Sequence, residues 1–112
     1  MNARKGEVWL VDFGNPIGRE QSGTRPAVVV SADPLNESRA GVLVVVPTTT
    51  TPRGIPSHVE VQPGRSGLEA VSYAKCEDVK SVSEQRLIGR LGCVDDEVTF
   101  QIDRALRFLL DL

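Results

Sequence analysis

Arg25-Pro26 stands where an eleven-residue segment, Gly14 to Thr24, hands over to an apolar run. A guanidinium is a planar fork whose paired N–H donors match two phosphate oxygens, whereas a lysine supplies only a point charge. Pro26 fixes its own φ and biases Arg25 toward an extended conformation, so the fork starts from a defined place. A second polar group follows the apolar run Val42 to Val46, where Pro47-Thr48-Thr49-Thr50-Thr51-Pro52-Arg53-Gly54 sets four hydroxyls and a cation at a strand end. Such hydroxyls donate to phosphate oxygens. The plainer readings are a solvated arginine beside a turn and a hydroxyl-capped turn between strands.

The segment before Arg25 also argues for a site. Four of its eleven residues are glycine or proline, and Arg19 and Glu20 add a cation and a carboxylate. Hairpins usually turn in two to five residues, so a connection this long and polar in a small all-β chain reads as a binding or active-site loop. Glu20 is the nearest carboxylate in sequence to serve as a base, or instead as a partner that orients Arg25. His58, the sole histidine, is the side-chain type that can serve as acid or base at neutral pH, but its place on the polar side of a strand points rather to a surface contact. Cys76 and Cys93 lack Cys-x-x-Cys spacing and with one histidine make a poor zinc set. They read as buried reduced thiols, and neither a metal nor a cofactor is expected.

The elements that position these groups are mostly strands. Strand-like runs are Glu7 to Phe13, Pro26 to Ala32, Val42 to Pro47, Ser57 to Gln62, Ala70 to Cys76, Asp78 to Val82 and Leu87 to Val94, each bounded by turn formers. Val59 and Val61 alternate with His58, Glu60 and Gln62, giving one apolar and one polar face. Ser81 to Glu84 has capping-box spacing before a short turn. Asp95-Asp96-Glu97 puts negative charge on the first turn of a C-terminal helix whose Val98, Ile102, Ala105, Leu106 and Leu109 share a face. Many short strands with turn signals predict a small barrel or sandwich.

Composition sets further bounds. With 112 residues and 40% hydrophobic content, the chain can bury one core and not two, so residues 1–112 are expected to form a single domain. Five aromatic residues leave an aliphatic core and argue against base-stacking platforms of the kind that many nucleic-acid binders use. No apolar stretch has the length of a membrane span and the first ten residues lack a signal-peptide core, which reads as a cytoplasmic protein. The net charge of −2 and pI near 5.4 are unusual for a chain that grips a polyanion. Residues 1–65 nevertheless carry seven Lys/Arg against six Asp/Glu, while residues 66–112 carry six against nine. Arg19, Arg25, Arg53 and Arg65 all lie in the first part, so polyanion binding should be local and salt-sensitive.

Taken together, these segments resemble the MazF/PemK family of toxin endoribonucleases. The resemblance runs from Gly6-Glu7-Val8-Trp9 through Gly18 to Pro26 and Val45-Val46-Pro47-Thr48, then Ser57 to Val61 and Ser83 to Leu87, to the C-terminal helix. Its most specific piece is the Glu-Gln-x-Gly-x-Arg-Pro string at Glu20 to Pro26. It implies a mainly β, α+β fold: a small SH3-like barrel of the MazF/PemK/CcdB type with a C-terminal helix. It also implies a homodimer that cuts single-stranded RNA without a metal and is neutralised by a cognate antitoxin whose flexible tail wraps the toxin.

By that resemblance Arg25 is the principal catalytic residue, contacting the scissile phosphate and assisting proton transfer, and Thr48 stabilises the transition state. The substrate's 2′-hydroxyl is the nucleophile, so a 2′,3′-cyclic phosphate should remain. The RNA-contacting candidates are Arg19, Gln21, Thr49, Arg53, His58 and Arg65. Four identical residues leave the register within Thr48 to Thr51 open by one position. Glu77-Asp78 departs from the polar amides that relatives often carry there and would repel phosphate if it faced the groove. A rival reading is a CcdB-like toxin that binds DNA gyrase and cuts nothing.

Overall fold

The computed structural model describes residues 2–14 and 23–112. Among the described residues seven antiparallel strands form the sheet: β1 Glu7–Asp12, β2 Thr24–Val29, β3 Val42–Thr49, β4 His58–Val61, β5 Ser72–Lys75, β6 Lys80–Ser83 and β7 Leu87–Cys93. The order across the sheet is β4-β5-β3-β2-β1-β7, with β6 on β3. β3 is the spine. Its first half pairs with β6 (Leu43 opposite Val82), its last two residues with β5, and its other edge with β2.

That branching buries both faces of the central strands, which is why β2 and β3 carry unbroken valine runs rather than an alternation. One apolar cluster joins Trp9, Val11, Phe13, Ala27, Val29, Leu43, Val45, Val82 and Leu87. The other joins Val8, Val28, Val46, Val59, Val61, Ala74, Cys76 and Ile102. Each fully buried valine contributes about 1.5–3 kcal/mol of transfer free energy.

The second cluster is closed by α2, Asp96–Leu110, a helix capped by Asp95, whose carboxylate accepts from Val98 N at 2.9 Å. Ile102 is buried, Val98, Ala105 and Leu106 pack beside it, and Leu109 is 40% exposed. A short helix, α1 Asp33–Asn36, escaped the sequence reading because four residues carry no periodicity. The expected capping box at Ser81 is corrected. Ser81 pairs with Val44 in β6, and Ser83 instead caps a 3₁₀ turn, Glu84–Arg86, accepting from Gln85 N at 3.2 Å. β7 also passes so close to the β4–β5 connection that a Cβ on Gly92 would lie 2.2 Å from the Arg65 carbonyl oxygen.

Candidate active site at the end of β2 and β3

Arg25 enters the fold as the second residue of β2, opposite Val11 of β1, and it is exposed. The connection that precedes it is pinched shut at its base. Phe13 N donates to the Gly23 carbonyl at 2.9 Å and Gly23 N to the Gly14 carbonyl at 2.8 Å. Gly14 and Gly23 both have φ near +70°, at 75° and 68°, which side-chain-bearing residues rarely adopt. Two further contacts brace this stem. Gly14 N donates to Asp12 Oδ1 at 2.9 Å, and Arg86, 74 residues away in sequence, donates from Nη1 to the Asp12 carbonyl at 3.1 Å. Lys80 lies 5.5 Å from the centroid of the Phe13 ring below. Arg19, Glu20 and Gln21 fall outside the described residues.

Thr48 lies across from Arg25-Pro26. Its hydroxyl donates to the Pro26 carbonyl at 3.0 Å, and the residue is only 4% exposed. Thr48 faces Ala74 on the packed side of β5, whereas Thr49 faces Tyr73 and is half-buried. Ala27 stands opposite Pro47, and strand alternation carries Arg25 and Thr49, each two residues further, onto that same face. Thr48 thus touches the backbone that holds Arg25, while Thr49 shares the arginine's face. Thr49 Oγ1 also accepts from Thr51 N at 3.2 Å, and Arg53 follows in the exposed connection to β4.

His58 differs from its sequence-based assignment to the polar surface. Its side chain is 3% exposed and its Nε2 lies 2.9 Å from Glu77 Oε2, while Ser57 Oγ donates to Glu77 Oε1 at 2.9 Å. Burial raises the Glu77 carboxyl, but the hydrogen bonds from His58, its own backbone and Ser57 outweigh it and hold the group below the usual carboxylate range. Asp78 pairs with Lys75 at 2.9 Å. Asp78 is thus paired with a cation, while the Glu77 carboxylate is held by hydrogen bonds from Ser57 and His58.

Arg65 is not brought to Arg25. It sits beside Cys93, donating from Nε to Cys93 Sγ at 3.3 Å. Cys93 pairs with Glu7 at the opposite end of β1 from Val11, about 13 Å along the strand at the usual rise. Cys93 is half-buried rather than buried, and Cys76 is fully buried with its thiol pushed up to about 12, chiefly by burial and secondarily by Glu77. Among the described residues no three His, Cys, Asp or Glu side chains converge to hold a metal. A cavity of about 630 Å³ lies away from Arg25, between β4 and α2, lined by His58, Glu60, Arg104 and Phe108 among others. No helix among the described residues is long and apolar enough to cross a membrane.

Comparison with known proteins agrees with this architecture. Residues 4–110 match the model of the PemK-like, MazF-like toxins of type II toxin-antitoxin systems. The chain is 36% identical over 114 residues to endoribonuclease MazF9 of Mycobacterium tuberculosis, covering 97% of each. It is 31% identical over 113 residues to endoribonuclease EndoA of Bacillus subtilis, covering 100% of this chain and 97% of that one. Among solved structures it is similar to a mycobacterial endoribonuclease in complex with its cognate antitoxin, with a TM-score of 0.82, 27% identity and coverage of 98% and 96%. A seven-stranded antiparallel sheet with a C-terminal helix, an Arg25-Pro26 strand entry beside Thr48, and these matches place the chain in the PemK/MazF-like family of type II toxins.

Proposed function

We infer that this protein is an endoribonuclease toxin that cleaves single-stranded RNA and is neutralised by a cognate antitoxin. The observation that carries the reading is the hydroxyl of Thr48 bound to the carbonyl beside Arg25, which sets a cation and hydroxyls at one strand end. RNA brings its own nucleophile, the 2′-hydroxyl, so the protein must supply charge stabilisation and proton transfer and no metal. Arg25 binds the scissile phosphate through its fork and stabilises the charge that grows on the pentavalent phosphorus. The hydroxyl at the end of β3 adds a hydrogen bond there: Thr48 by family resemblance, with Thr49 on the arginine's own face.

Glu20 is proposed as the base or the partner of Arg25, with Arg19, Gln21 and Arg53 gripping the strand. His58 holds its Glu77 bond while free of RNA. Residues 1–112 act as one toxin domain in the cytoplasm, as a homodimer that brings two Arg25 sites together and strengthens the local positive field. The names of the relatives do not favour the gyrase-binding alternative.

Incubation of the purified protein with a long single-stranded RNA in EDTA, followed by mapping of the new ends, tests the reading. Cuts at a defined motif with 2′,3′-cyclic phosphate termini support it. Intact RNA together with inhibition of gyrase would reverse it.

A further inference from the structure

Four residues on four adjacent strands share one face beside the proposed cleavage site. Arg25 of β2 and Thr49 of β3 lie on it by alternation; Tyr73 of β5 stands directly opposite Thr49, and Glu60 of β4 directly opposite Tyr73. The reverse side of the same strands is packed, with Thr48, Ala74, Val59 and Val61 all buried. On the shared face Arg25 and Glu60 are exposed, and Thr49 and Tyr73 are half-buried. The row therefore grades from a cation through a hydroxyl and an aromatic ring to a carboxylate.

We propose that Tyr73 is a substrate-binding contact, stacking on the base next to the phosphate held at Arg25. The inference rests on the nuclease reading for its substrate and adds a residue to it. Two strand spacings separate Arg25 from Tyr73, roughly 10 Å, which places the ring beyond the phosphate and within reach of a neighbouring base. The charge order decides what binds there. Glu60 beside Tyr73 disfavours a second phosphate; its Oε2 accepts from Gln62 Nε2 at 2.8 Å, which leaves Oε1 to accept from the amino group of a base, while the phenol ring offers a face to stack on. One ring suffices for one base, so the scarcity of aromatic residues that argues against a platform of several rings does not weigh against it. Tyr73 is the only tyrosine in the chain, and Trp9 and Phe13 are buried in the core.

The test measures Kd for a single-stranded RNA blocked by 2′-O-methylation, alongside kcat/KM on the unblocked RNA, for the wild type, Tyr73→Ala, Tyr73→Leu and Tyr73→Phe. Stacking predicts that Tyr73→Ala and Tyr73→Leu weaken Kd by about tenfold to a hundredfold, with Tyr73→Phe near the wild type. An abasic position in the RNA should cost the wild type as much as the substitution does, and cost Tyr73→Ala nothing further. Wild-type Kd in Tyr73→Leu, or Tyr73→Phe as impaired as Tyr73→Ala, overturns the stacking role while leaving the nuclease reading in place. Tyr73-dependent binding without cleavage overturns the nuclease reading and leaves the contact. No binding of RNA by the wild type overturns both.

Discussion

The Thr48 hydroxyl donates to the Pro26 carbonyl at 3.0 Å and so ties β3 to the backbone immediately after Arg25. That bond gives Thr48 a structural part that its neighbour does not share. Thr48→Val removes the donor of a part-buried hydrogen bond and is expected to cost about 0.5–1.5 kcal/mol as well as lowering cleavage. Thr49→Val should leave stability unchanged, because that residue is half-exposed and its hydroxyl accepts only from Thr51 N. Thermal melts of the two variants beside their cleavage rates separate the roles; an unchanged melt for Thr48→Val contradicts the assignment.

Arg86 holds the stem of the connection that leads into Arg25. Its side chain is exposed, so Arg86→Ala should barely change global stability. The amides of Phe13 and Gly23, which close the stem, should exchange about two- to tenfold faster, the worth of one ordinary hydrogen bond. Hydrogen exchange followed by NMR reads this directly, and equal exchange in both proteins would remove Arg86 from the stem.

Acid should expose the Ser57–His58–Glu77 network. The folded pKa of Glu77 lies below the ordinary value, so its stabilisation is present above the unfolded carboxylate pKa of about 4.3 and is lost as pH falls through the lower folded value. Glu77→Gln should therefore be less stable than the wild type at pH 7 and approach it below that window. Urea melts from about pH 2 to about pH 7, on both sides of that reference, check the convergence; a constant difference would argue against it.

Ile102 is 1% exposed where α2 closes the second apolar cluster. Ile102→Ala should cost about 2–5 kcal/mol, measured by denaturant unfolding. A loss under 1 kcal/mol would mean that α2 is not fixed on the sheet by this residue.

The sheet was legible in the sequence because its signals are local. The seven strand-like runs correspond to the seven strands, with ends shifted by one or a few residues, and Asp95 caps α2 as its acidic start suggested. What stayed hidden depends on pairing between distant segments. His58 looked like a surface group because it alternates with Val59, yet β5 and the turn after it bring Glu77 against it and bury the imidazole. Arg65 joined the candidate cations by charge alone, and only the β1–β7 register shows it at the far end of the strand. Tyr73 carried no motif. Its place beside Thr49 is a fact of register, and a one-residue slip would have turned it into the core.

The central claim is that Arg25 acts on the scissile phosphate, and single-turnover cleavage of RNA in EDTA by Arg25→Ala and Arg25→Lys tests it most directly. Arg25 is exposed at the strand entry, so both variants should keep the wild-type melt. Arg25→Ala should cut about two to three orders of magnitude more slowly, and Arg25→Lys should also be badly impaired because the planar fork is gone. A folded Arg25→Ala that cleaves at the wild-type rate would contradict the account.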